Sequence, residues 1–183
     1  EGRVIGLALK QTDETWSVLH ATHLQQFLEH PPSNPNSSLT HRGFLWTRVP
    51  QPSVTNHAGI PAATVGIWIT RILPFGTGSQ VLRPGDLLTQ LGAWTLNADG
   101  QIKHPVWGSV LFDALFLEEL TLGTAVELRI WRNGREQTVT ATVRPFEPNQ
   151  ALVPSEPAGA APHYLVQGGL LFQELSLNYL RSW

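Results

Sequence analysis

The sequence predicts an α+β fold, and three observations carry that expectation. From His41 to Arg144 about five apolar runs succeed one another, mostly without helices between them. Asn133-Gly134 joins two alternating runs, the strongest short hairpin signal. An apolar segment with helical spacing lies just before that hairpin. Together they favour a small, partly open β-barrel or sandwich with one or two helices over a doubly wound sheet.

In chain order, Val4–Leu9 reads as a buried strand and Thr15–His20 as a second, with Asp13 and Glu14 in the turn. Thr22 and Gln25 fit a capping box, and Leu24, Phe27 and Leu28 give the following helix an apolar stripe. Pro31-Pro32 stops it, so residues 1–30 read as a β-β-α unit and 31–40 as a linker. The next unit spans 41–143. Gly43–Val49 is its first strand, and the β-branched stretch Thr64–Ile72 its second. Arg83-Pro84-Gly85-Asp86 is a turn feeding Leu87–Leu91, and Asn97–Gly100 is another turn. Ser109 is placed to cap a helix reaching Glu119. Ala125–Trp131 and Glu136–Val143 form the hairpin. Residues 144–162 carry five prolines and read as a stiff linker. The apolar stretch 163–183 follows. There Gly169–Leu175 echoes Gly43–Val49, as if a second, truncated unit began like the first.

Composition narrows the function. The chain has 183 residues, of which 42% are hydrophobic and 14% charged, so it holds a folded core. Its net charge of −2 offers no basic field for a phosphate backbone, and nucleic acid is not expected as a partner. No apolar run reaches the roughly 20 residues of a membrane span. There is no cysteine, which excludes disulfides, thiol nucleophiles and thiolate metal sites. There is also no methionine, even at position 1, which reads as a processed product or a piece of a longer chain.

The candidate site lies at the start of the 41–143 unit. His41-Arg42-Gly43-Phe44 precedes a strand, and successive backbone amides opened by a glycine make a nest for a carboxylate. The strand edge Leu45-Trp46-Thr47-Arg48 can accept an extended peptide through main-chain hydrogen bonds. Phe44 and Trp46 share a face and wall a pocket, with Leu111 and Leu115 of the helix opposite. The plainer alternative is an ordinary strand start in which Gly43 only relieves a turn. The helix is apolar almost all round, so it is either sandwiched or lines a groove.

The order of these pieces resembles the HtrA/Deg family of serine proteases. Its PDZ domains carry an x-Φ-G-Φ carboxylate loop (Φ, apolar), which His41–Trp46 resembles, and a turn that Leu82-Arg83-Pro84-Gly85-Asp86 resembles. Gly2–Leu7 and the capped helix to His30 are similar to the end of the trypsin-like protease domain. His163–Phe172 is similar to the opening of the second PDZ domain of the plant-type branch, whose insertion Asn97–Val106 resembles. The loop fits in two registers: either Gly43 is the loop glycine with Arg42 in an apolar position, or Trp46 stands where the glycine belongs. The resemblance implies a PDZ segment that binds extended or C-terminal peptide segments of unfolded-protein substrates. It implies homo-oligomers, a role in protein quality control, and no cofactor. It also implies a cell-envelope location, or an organelle in plants.

No catalytic residue is expected in this chain. It has no Gly-x-Ser-x-Gly elbow, although Ser79 follows Gly76-Thr77-Gly78, and the family's nucleophile segment belongs upstream of Glu1. One alternative is a stand-alone interaction or oligomerisation module, with Tyr164–Trp183 reaching a neighbour's groove. A further alternative is a zinc hydrolase built on His20, His23, His30 and Glu29. Thr22 as cap and the helix dipole at His30 account for that cluster without metal.

Overall fold

A computed structural model describes residues 4, 6–12, 15–21, 24–25, 28, 40–49, 52–147, 152–153 and 163–182. It divides into two compact units, 1–146 and 147–183. The expected linker 31–39, most of 148–162, Thr22, His23, Glu29 and His30 lie outside the described residues.

The first unit opens with an antiparallel hairpin of β1 (Gly6–Thr12) and β2 (Thr15–His20), bulged between Ala8 and Lys10. Residues 21, 24, 25 and 28 are helical. The principal sheet follows. It consists of β3 (Phe44–Arg48), β4 (Ile67–Ile72), β5 (Leu87–Leu91), β9 (Ala125–Arg132) and β10 (Arg135–Thr142), in the order β10-β9-β5-β4-β3. A two-residue strand, β6 (Trp94–Thr95), pairs with β5. All pairings are antiparallel, including β5 with β9, between which the chain forms β6, two further strands and a helix.

The side-chain period of two explains the sheet. In β9, Val126, Leu128 and Ile130 are buried while Glu127 and Arg129 are exposed. Asn133 (φ 51°) and Gly134 (φ 71°) turn β9 into β10 with both central residues left-handed, as a two-residue hairpin demands. Ile67, Ile69, Leu88, Leu91 and Ile102 complete the core with Phe44, Phe112 and Leu115.

Three features depart from the sequence reading. The helix does not begin at Ser109. Residues Gly108–Leu111 form β8, paired with β7 (Gln101–His104), and the Ser109 hydroxyl donates to Gln101 Oε1 instead of capping. The helix, α2, is confined to Asp113–Glu118. Gly108 (φ 72°) after Pro105-Val106-Trp107 supplies a tight turn that competes with helix propagation. A short helix, α1 (Pro52–His57), was not anticipated, although proline at a first helical position is a known start signal.

Asp86 explains the Leu82–Asp86 turn. Its carboxylate is 1% exposed, accepts the Arg83 amide (2.8 Å), and pairs two-pronged with Arg132 (Nε–Oδ1 2.8 Å, Nη2–Oδ2 2.7 Å). The acid thus fixes the turn and ties β5 to the end of β9.

The second unit contains a hairpin of β11 (Tyr164–Gln167) and β12 (Leu170–Gln173), then a helix, α3 (Leu177–Arg181). Ser176 caps α3 by accepting the Tyr179 amide at 3.2 Å. The echo has a structural counterpart: Gly43 (φ 81°) and Gly169 (φ 79°) each precede a strand in the left-handed conformation.

Candidate functional site

The site is built at the edge of the principal sheet, where β3 is the terminal strand. The loop before it, His41–Gly43, is held from below by backbone bonds. The carbonyls of His41, Arg42 and Gly43 accept the amides of Thr77 (2.7 Å), Gly78 (2.7 Å) and Leu73 (2.9 Å). The His41 amide donates to Arg144 O (2.9 Å), and Thr40 bridges Pro145. Gly43 lies backbone to backbone on Gly76, leaving no space for a Cβ. The glycine of this loop, in the left-handed region, is therefore Gly43; Trp46 sits within the strand.

The ladder decides which groups face outward. Gly43 O is used by β4's side, so Phe44 alternates to the free edge and presents its own N–H and C=O there. Arg42 reaches this edge. Its Nε donates to Phe44 O at 2.9 Å, and its Nη1 pairs with Asp113 Oδ1 at the start of α2. The Gly43 amide is also engaged, donating to His41 Nδ1 at 3.0 Å. That ring packs with Phe75 and Phe146, with centroids 5.2 and 5.3 Å away, and the two phenyl rings touch each other as well. Burial holds the His41 pKa below its ordinary value, the neighbouring Arg42 charge lowers it further, and Asp113 opposes both.

The named side chains divide into two groups. Phe44 is buried and stacks on Phe112 (6.0 Å), while Trp46 meets the same ring edge-on (5.8 Å). They share a face as expected. Trp46 also lies over Gly100, whose missing side chain leaves room for the indole. Leu45 is half-buried, and Thr47 and Arg48 are exposed, with Arg48 ion-paired to Asp99 at 2.6 Å. The helix positions differ from expectation. Leu115 is 1% exposed and belongs to the core, whereas Leu111 is 50% exposed and lies on β8, not on the helix. Phe112 is the aromatic that joins β3 to α2. In the sequence it is simply one apolar residue of the stretch after Ser109. Nothing in the sequence pointed to the Arg42–Asp113 pair, whose members lie 71 positions apart.

Other chemistry is sparse. No group of three metal-ligating side chains occurs among the described residues, and no helix among them is long and apolar enough to cross a membrane. Of the zinc alternative's residues, His23, His30 and Glu29 lie outside the described set. His104 is buried, bonds Glu119 at 2.7 Å, and stacks on Trp107 at 3.9 Å. Its Nδ1 accepts the amides of Val106 and Trp107, which pins the β7–β8 turn.

No protein-family model matches the chain. It is 24% identical over 182 residues to Protease Do-like 2, chloroplastic, of Arabidopsis thaliana, covering 96% of this chain and 29% of that protein. It thus spans less than a third of this relative's length. The fold resembles the HtrA-type protease AlgW solved with a decapeptide (TM-score 0.51, 18% identity, 80% of this chain and 43% of that one). A variant of AlgW with a decapeptide gives 0.53, 18%, 87% and 44%. The sequence relative is thus a Do-like protease and the fold neighbours are HtrA-type proteases, and this chain is similar to both, in keeping with the HtrA/Deg resemblance of its segments.

Proposed function

We propose that this chain is the peptide-binding, substrate-recognition segment of an HtrA/Deg-like serine endopeptidase. It takes extended or C-terminal peptide segments by strand addition to β3. The carrying observation is an edge strand entered through a left-handed glycine and flanked by a short helix. The Gly43 and Phe44 amides would hold a terminal carboxylate, and the Phe44–Arg48 edge would pair with the peptide backbone. Half-buried Trp46 is the aromatic at this edge, backed by the buried Phe112 ring on which Phe44 stacks. In the free chain the Gly43 amide already serves His41, so the carboxylate must displace that ring. The decapeptides held by the AlgW structures suit this reading. Cleavage would belong to a catalytic domain upstream in the parent protein.

The test is titration of the 183-residue chain with fluorescein-labelled ten-residue peptides ending in apolar residues, each as free acid and as amide. Charge-assisted hydrogen bonds to a carboxylate are worth about 1.5–3 kcal/mol, so the acid should bind at least roughly tenfold tighter. Equal affinity, or no binding across the set, removes the groove assignment.

A second reading, self-association, rests on the β11–β12 hairpin. Leu165, Val166, Leu170, Leu171 and Phe172 are all more than half exposed there. Sedimentation at several concentrations tests it, and a strict monomer at high concentration removes it.

A further inference from the structure

The groove has a built-in occupant. An added strand must donate a backbone N–H to the outward carbonyl of Phe44, the first acceptor on the β3 edge. That carbonyl already accepts Arg42 Nε at 2.9 Å. The same guanidinium extends to Asp113 Oδ1, so one side chain spans from the loop, across the strand edge, to the start of α2. Arg42 and Asp113 are 26% and 35% exposed, so their pair is partly shielded and stronger than a fully exposed ion pair.

We propose that Arg42 is a latch residue that determines affinity in the groove: it holds the Phe44 carbonyl and Asp113 in the free chain and must swing out before a peptide strand can pair. The inference rests on the strand-addition reading given above. The fork geometry explains why the residue is arginine. Nε faces the carbonyl while a terminal nitrogen faces the carboxylate, an arrangement the single ammonium of lysine does not reproduce. The Arg42 carbonyl stays bonded to the Gly78 amide (2.7 Å), so release is a side-chain rotation. Ligands that replace both partners of the guanidinium at once, such as peptides with an acidic side chain near the C-terminus, would lose least on displacing it.

The experiment compares wild type with Arg42→Ala, Arg42→Lys and Asp113→Asn in the same 183-residue chain, using the labelled free-acid peptides. Removing the guanidinium, and with it the bond that occupies the Phe44 carbonyl, should tighten binding roughly fivefold in Arg42→Ala. Arg42→Lys should show nearly the same gain. Asp113→Asn, which loosens one anchor only, should gain about twofold. A second readout is independent of folding differences: the Arg42 Nε–H proton should be protected from solvent exchange in the free wild type and lose protection on peptide saturation. If wild type binds free-acid peptides and Arg42→Ala binds them equally or more weakly, the latch is refuted while the groove reading stands. An unprotected Nε–H in the free chain also refutes it. If neither protein binds any peptide, the groove reading fails and the latch with it.

Discussion

Replacing Gly43 by alanine tests the loop that underlies the site. Two costs add. The backbone there has φ +81°, where an L side chain carries a penalty of about 1–2 kcal/mol. The new Cβ would also lie 2.6 Å from Phe75 O and 2.8 Å from the Gly76 carbonyl carbon, both backbone atoms that cannot rotate away. Relieving such an overlap by backbone shifts costs about 1–3 kcal/mol more. Gly108 provides the internal control. It has φ +72°, and a Cβ there meets nothing within 4 Å, so Gly108→Ala should cost only the conformational part. Urea unfolding followed by tryptophan fluorescence should therefore place Gly43→Ala about 2 kcal/mol below Gly108→Ala, at unchanged m-value. Equal destabilisation by the two substitutions would refute the close Gly43–Gly76 packing and the stitched loop built on it.

The remaining predictions concern charge. Asp86→Ala leaves the Arg132 guanidinium, 15% exposed, without its two-pronged partner. It should cost about 3 kcal/mol, read as a lower urea midpoint, and a loss under 1 kcal/mol would contradict the buried pair. His41 should impose a pH dependence on stability. Its folded pKa is lowered from 6.5, so the unfolded chain binds the proton first as pH falls. The contribution is intact above about pH 6.5 and is lost as pH drops below it. His41→Asn offers a non-titrating acceptor for the amide two residues on, and its stability curve should be flatter from pH 7 to 5. Parallel curves for the two proteins would rule out His41 as the source.

Much of the architecture was legible because local chemistry and tertiary demand agreed. Asn133-Gly134 is a turn whatever surrounds it, and Val126, Leu128 and Ile130 alternate because the strand has one buried face. The Leu82–Asp86 turn was visible, but not the reason for its acid, since Arg132 lies 46 positions away. Residues 109–111 read as helix because an apolar run can be helix or strand, and 101–104 was given no element. The alternation Gln101-Ile102-Lys103-His104, followed by Pro105 and Gly108, was the available signal for β7–β8. Phe44 and Trp46 on one face followed from spacing, whereas Leu111 depended on the helix starting four residues too early. Arg42 looked like a defect in an apolar position. Its role appears only when α2 brings Asp113 to the loop, a long-range fact that no local pattern encodes.

The bridge between Thr40 and Pro145 closes the neck of the 41–145 segment: the chain goes in and comes out through adjacent residues running in opposite directions. Tension applied to the two flanking stretches thus acts across this bridge and loads it directly. At this bridge His41 N–H donates to Arg144 O. Mechanical load would reach the loop at His41 before it reaches the sheet, so pulling on the flanks would disturb the edge of β3 while the core stayed folded.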